Sequence, residues 1–81
     1  MNDNEKKILD ILGTFNDDIP LDIKTNLLAG GYIDSFDIVN IVAELEESFN
    51  IEIIPEMIVP ENFENVKQMS KLVRKMEIEH E

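Results

Sequence analysis

Asp34-Ser35-Phe36-Asp37 is the stretch of this sequence whose residue types and placement could do chemistry. Apolar residues recur just downstream at Ile38, Ile41, Val42, Leu45 and Phe49, the three-and-four spacing of an amphipathic helix. Asp34 then stands at the N-cap and Ser35 at the first helical position, at the positive end of the helix dipole. An anion carried on that hydroxyl, such as a phosphodiester, is expected to meet free backbone N–H groups of the first turn. Ser35 is thus a candidate attachment point as well as a helix-start residue. Other chemistries are poorly served. The chain has no cysteine, which removes disulfides, thiolate metal sites and any Cys–His pair. Its one histidine, His80, is expected to lie in a frayed end, a poor base for a Ser–His–Asp set. No twelve-residue stretch offers the alternating oxygen ligands and central glycine of a calcium-binding EF-hand loop. No catalytic residue and no metal ligand is therefore expected.

A net charge of −11 opposes nucleic-acid binding and attraction to anionic membrane surfaces. It favours partners with basic docking patches, reached in a salt-dependent way. The distribution sharpens this. Between Thr25 and Val66 there is no lysine or arginine, while Asp34, Asp37, Glu44, Glu46, Glu47, Glu52, Glu56, Glu61 and Glu64 all fall inside. Lys6, Lys7, Lys24, Lys67, Lys71, Arg74 and Lys75 lie outside it. Ser35 therefore sits in a field of one sign. The N-terminus is polar, with no secretory h-region, and no apolar run is long enough to span a bilayer, so a cytoplasmic protein is expected.

Eighty-one residues fit one small domain with a modest core and little material to wall an enclosed active site. A first helix is predicted from Asp3 or Asn4 to near Phe15, burying Ile8, Ile11, Leu12 and Phe15 and leaving Glu5, Lys6, Lys7 and Asp10 to solvent. A long connection over 16–34 follows, pinned by Ile19, Leu21, Ile23, Leu27, Leu28 and Ile33, with a short helical turn expected at 23–28. Gly30-Gly31 supplies backbone freedom just before the serine.

The second helix, 35–49, turns Asp37, Asn40, Glu44 and Glu47 away from its apolar stripe. Phe36 and Val39 fall outside that stripe or at its edge. They either finish the core or form an apolar patch beside Ser35, the patch being the favoured reading for Phe36. Residues 51–54 read as an extended link. Pro55 and Pro60 allow at most a short helical turn between them, with Met57, Ile58 and Phe63 closing the bundle. A last helix starts at Asn65, with Gln68 three residues on, and buries Val66, Met69, Leu72, Val73 and Met76. The expected fold is all-α: a small up-and-down four-helix bundle, three main helices plus a short one, with a long first loop.

These residues resemble the acyl carrier protein family, including its peptidyl, aryl and D-alanyl carriers. The resemblance centres on Asp34-Ser35, bulky Phe36 and acidic Asp37. It runs on through Ile41-Val42-Ala43-Glu44-Leu45-Glu46-Glu47-Ser48-Phe49 to Ile51-Glu52-Ile53 ahead of Pro55. It implies one phosphopantetheine-binding carrier domain over residues 1–81, with Ser35 as the site of covalent 4′-phosphopantetheine attachment and Asp34 beside it. The arm would come from coenzyme A through a phosphopantetheinyl transferase. A monomeric, non-enzymatic carrier would hold an acyl or aminoacyl group as a thioester. It would receive that cargo from an activating ligase and deliver it to downstream transferases of fatty-acid, polyketide, peptide or cell-envelope biosynthesis. By the same resemblance Phe36, Asp37, Val39, Glu44 and Glu47 would meet partner enzymes. Asn40 departs from the acid that many fatty-acid carriers place there, and Gly31-Tyr32-Ile33-Asp34-Ser35-Phe36 looks closer to stand-alone carriers such as the D-alanyl ones. The alternative from a different class is an acidic helical adaptor that binds a basic partner through 35–49, with Ser35 serving the helix start alone.

Overall fold

The computed structural model describes residues 2–79; the expectation for His80 lies outside them. Three α-helices carry the fold: α1 (Asp3–Gly13), α2 (Ser35–Phe49) and α3 (Val66–Glu79). A 3₁₀ turn, Pro55–Met57, stands between Pro55 and Pro60 where the short fourth helix was expected, a second, Pro60–Phe63, follows it unforeseen, and no strand occurs among the described residues. The break between the turns has a local cause. Pro60 disfavours helical backbone in the residue before it, and Val59 is extended at φ −127° and ψ 151°.

The helix starts are closed by side chains. Asn2 caps α1 by accepting from Glu5 N, while the Glu5 carboxylate accepts from Asn2 N, each at 2.8 Å. This reciprocal box draws Glu5 inward to 7% exposure, correcting the expectation that it faces solvent. Asn65 caps α3 by accepting from Gln68 N at 2.8 Å. At the other end of α2, Asn50 takes the left-handed conformation (φ 54°) and donates its N–H to Glu46 O. No basic residue occupies the last turn of α2. Lys7 of α1 supplies the cation instead, donating to Ser48 O at 2.7 Å and lying 4.8 Å from the Phe49 ring centroid.

The core takes one stripe from each helix: Ile8, Leu9 and Leu12; Ile38, Ile41, Val42 and Leu45; Val66, Met69, Leu72, Val73 and Met76. Ile19, Leu27, Ile33, Ile51, Ile53 and Phe63 fill it from the connections. Ile11, Phe15 and Met57 are half-buried against it, while Ile58, 37% exposed, is not part of it. The α3 helix packs most extensively against α1 and the second 3₁₀ turn. A Cα radius of gyration of 11.5 Å matches the ~12 Å expected of a compact chain of this length.

Two expectations for the long connection are corrected. Leu21 does not pin it, being 82% exposed. Residues 23–28 form turns and no helix. Their backbone groups are taken by the approach to α3: Leu27 N donates to Glu64 O at 2.7 Å, and Lys67 N donates to Ile23 O at 3.0 Å. The Asn26 side-chain amide adds a bond to the Glu64 carboxylate at 3.1 Å. The Leu27 N to Ile23 O bond that a helix there would need is thereby lost, since each group is bonded elsewhere.

Candidate functional site at the start of α2

Residues 27–33 bring the chain to Ser35 along a fixed path. Leu27 is fully buried, and its carbonyl accepts from both Tyr32 N (2.9 Å) and Ile33 N (3.2 Å). That tight reversal needs Gly31 at φ +77°, where a side chain would be strained. Gly30 is required for space: a Cβ there would lie 2.8 Å from the Tyr32 ring and 2.9 Å from Asn26 O. Asn16 ties the far side by donating its amide to Tyr32 O at 3.1 Å. The loop is thus anchored to the end of α1 and the start of α3, with Ile33 buried immediately before the site.

Asp34 is extended (φ −128°) and its Oδ1 accepts from both Phe36 N and Asp37 N at 3.0 Å. The Asp37 carboxylate answers by accepting from Asp34 N at 3.1 Å. Ile38 N closes the first backbone turn on Asp34 O. This corrects the expectation of free N–H groups: the second and third N–H groups of the helix are filled by Asp34. A phosphodiester on Ser35 would therefore be rooted by its covalent bond, beside two carboxylates, and would find those donors taken.

The hydroxyl itself is accessible. Of the three serines, Ser35 is exposed, Ser48 half-buried and Ser70 buried. Phe36 is 83% exposed and Val39 68%, so neither finishes the core, and together they form an apolar patch one helical turn long next to Ser35. Asn40, Glu44 and Glu47 are exposed further along α2, and Asp37 is half-buried. Among the described residues no group of three or more His, Asp or Glu side chains could hold a metal ion. No described helix is long and apolar enough to cross a membrane.

Two residues carry roles that the sequence reading missed. Asp37 completes the helix cap, a role visible in principle as an acid three residues after the N-cap. Glu46 accepts from Ile53 N at 2.9 Å and so holds the extended link against α2. Nothing in its local sequence announces that, because its partner is placed by the fold.

An exposed serine on a rigidly placed helix start, with its cap already complete, suits a covalent tether better than a bound free anion. The family model described as phosphopantetheine attachment site matches residues 6–73, from α1 through most of α3. No curated protein and no solved structure matches the chain. Carriers of this kind are modified by phosphopantetheinyl transferases and work with biosynthetic enzymes. The chain belongs to the phosphopantetheine attachment site family, in keeping with the acyl carrier proteins, and is a carrier whose cofactor is covalently attached 4′-phosphopantetheine.

Proposed function

We propose that Ser35 bears the arm and that the protein is a non-catalytic acyl or aminoacyl carrier, with residues 1–81 acting as a single monomeric domain in the cytoplasm. The observation carrying this is the exposure of Ser35 as the first residue of α2, inside the span matched to the family. In the attachment step the Ser35 Oγ bonds to the phosphorus of coenzyme A that bears the pantetheine. The pyrophosphate P–O bond breaks, adenosine 3′,5′-bisphosphate leaves, and the serine proton passes to a base of the transferase. When bound, the arm supplies a terminal thiol on which cargo is held as a thioester.

The remaining roles belong to the chain itself. Asp34 fixes the helix start and the direction in which Ser35 projects. Phe36 and Val39 offer apolar contact, and Glu44 and Glu47 offer charge to arginines and lysines of the transferase, of an activating ligase and of downstream transferases. The cargo lies within fatty-acid, polyketide, peptide or cell-envelope biosynthesis, and the approach to Ser35 through Gly31-Tyr32-Ile33 favours a stand-alone carrier.

Intact-mass measurement of apo-protein incubated with coenzyme A and a broad-specificity phosphopantetheinyl transferase tests this. One phosphopantetheinyl group is expected on the wild type and none on Ser35→Ala. An unmodified wild type, under conditions that load a control carrier, would return the adaptor reading; a modified Ser35→Ala would move the site elsewhere.

A further inference from the structure

The outer face of α3 has a character found nowhere else among the described residues. Successive residues turn by about 100° around a helix axis, which places Lys67, Lys71, Arg74, Lys75 and Ile78 together on an arc of roughly 100°. The buried residues Val66, Met69, Leu72, Val73 and Met76 occupy the opposite side. Four of the seven lysines and arginines of a chain with eighteen acids are thus gathered on one stripe, about 16 Å long at the helical rise. Among the described residues no acid of α3 falls within that arc: Glu77 lies on the flank and accepts from the Asn4 side chain at 3.4 Å, while Asp3 at the start of α1 shares a second hollow with Arg74. Lys71, Arg74, Lys75 and Ile78 line an open groove of about 340 Å³. Ile78 is 64% exposed at its end. The stems of the long side chains form an apolar floor, and their charged heads stand at the rim.

We propose that this face is a second docking surface, which receives an acidic amphipathic helix of a partner protein with one apolar side chain seated in the groove. Charge complementarity argues for an acidic ligand, since eighteen acids outnumber seven lysines and arginines in the chain and, among the described residues, four of those seven are concentrated on this stripe. The open apolar floor between the charged heads argues for an apolar side chain laid against it. A helix about 10–12 Å wide covers the stripe alone. A flat anionic bilayer would instead be brought against the flanking acid Glu77 as well. The net charge of −11 does not forbid the contact. The molecule measures 19 Å across its shortest dimension, about two Debye lengths at physiological salt. The stripe therefore acts on an approaching ligand locally. Docking there leaves Ser35 and the outer face of α2 free, so a carrier held through α3 could still be served by enzymes approaching α2.

The test uses full-length ¹⁵N-labelled apo-protein titrated with a synthetic helical peptide carrying one leucine flanked by glutamates, and with the same peptide in which glutamine replaces each glutamate. Shift changes are expected to concentrate over 67–78, with at least about tenfold tighter binding of the glutamate peptide. The K71Q/R74Q/K75Q variant should lose about tenfold in affinity. It should also accept phosphopantetheine at the wild-type rate, which separates this surface from the role of Ser35. If the triple variant melts early, the single variants Lys71→Gln and Lys75→Gln carry the test, each expected to weaken binding two- to fivefold. Equal binding of both peptides, shift changes centred on α2, or affinity untouched by these substitutions would overturn the proposal. Tighter association with phosphatidylglycerol vesicles than with the peptide, lost in K71Q/R74Q/K75Q, would overturn it in favour of a membrane.

Discussion

Replacing Asp34 by alanine separates two functions that the start of α2 combines. The Asp34 carboxylate satisfies the Phe36 and Asp37 N–H groups, both at 3.0 Å. Removing an N-cap of this kind costs about 1 kcal/mol, within a range of roughly 0.5–2. The reciprocal bond can survive, because it runs from the backbone N–H of residue 34 to Asp37. For a domain of this size about 1 kcal/mol corresponds to a fall of roughly 4–8 °C in melting temperature. That is the expected loss in apo Asp34→Ala. Asp34→Asn keeps an oxygen acceptor and should melt close to wild type.

Attachment of the phosphodiester should then act differently on the two backgrounds. In wild type both N–H groups are taken and two carboxylates stand beside Ser35, so phosphopantetheinylation should leave the melting temperature unchanged or slightly lower. In Asp34→Ala the vacated N–H groups face the new anion, which should recover about 0.3–1 kcal/mol from the helix terminus. Thermal melts of apo and holo forms of both proteins, at low and moderate salt, read the difference. A wild-type rise of several degrees on attachment, matching that of Asp34→Ala, would refute the reasoning, since the phosphate would then be gripped despite the intact cap.

Phe36→Ala should shift stability by less than about 0.5 kcal/mol, as expected of an exposed position, while slowing use by transferase or ligase; a large drop in melting temperature would place Phe36 in the core. Gly31→Ala should cost about 1–2 kcal/mol from left-handed backbone alone. Gly30→Ala should cost about 1–3 kcal/mol from overpacking against Asn26 O and the Tyr32 ring, so equal wild-type melting for either would contradict the loop geometry. Glu44→Lys/Glu47→Lys should slow phosphopantetheinylation without loss of melting temperature, and the deficit should shrink as salt rises; rates equal to wild type at low salt would exclude docking through these acids.

The parts of the fold that were legible in the sequence are those whose causes are local. Helix α2 runs from Ser35 to Phe49 as expected because Asp34 announces its start and the last apolar stripe residue its end. The extended run 51–54 was readable from its proline boundary, as was the interruption before Pro60. What escaped reading depends on partners far along the chain. Residues 23–28 look helix-competent, yet their backbone is bonded to Glu64 and Lys67, some forty residues away. Leu21 is apolar and exposed because nothing in a non-periodic loop fixes which apolar residues turn inward. Glu5 looked like a solvent residue because the helix start at Asp3, one of the two expected, leaves Asn2 as the cap, and its reciprocal bond to Glu5 is not announced by the apolar pattern.

The same distinction reorders the acids around Ser35. Read as sequence, Asp34, Asp37, Glu44, Glu46 and Glu47 form one negative surface. In the fold Asp34 and Asp37 are committed to the cap and Glu46 to Ile53 N. Of these five, Glu44 and Glu47 are left with exposed side chains and, among the described residues, no structural bond competing for them. A charge reversal at Asp37 therefore confounds docking with helix stability, whereas one at Glu44 or Glu47 does not. Partner recognition through α2, as proposed, would then draw its structurally uncommitted charge from Glu44 and Glu47, together with the apolar Phe36 and Val39. Its salt dependence should be that of the few acids along α2 within a Debye length of the contact, well below what a net charge of −11 would imply if the whole surface steered the encounter.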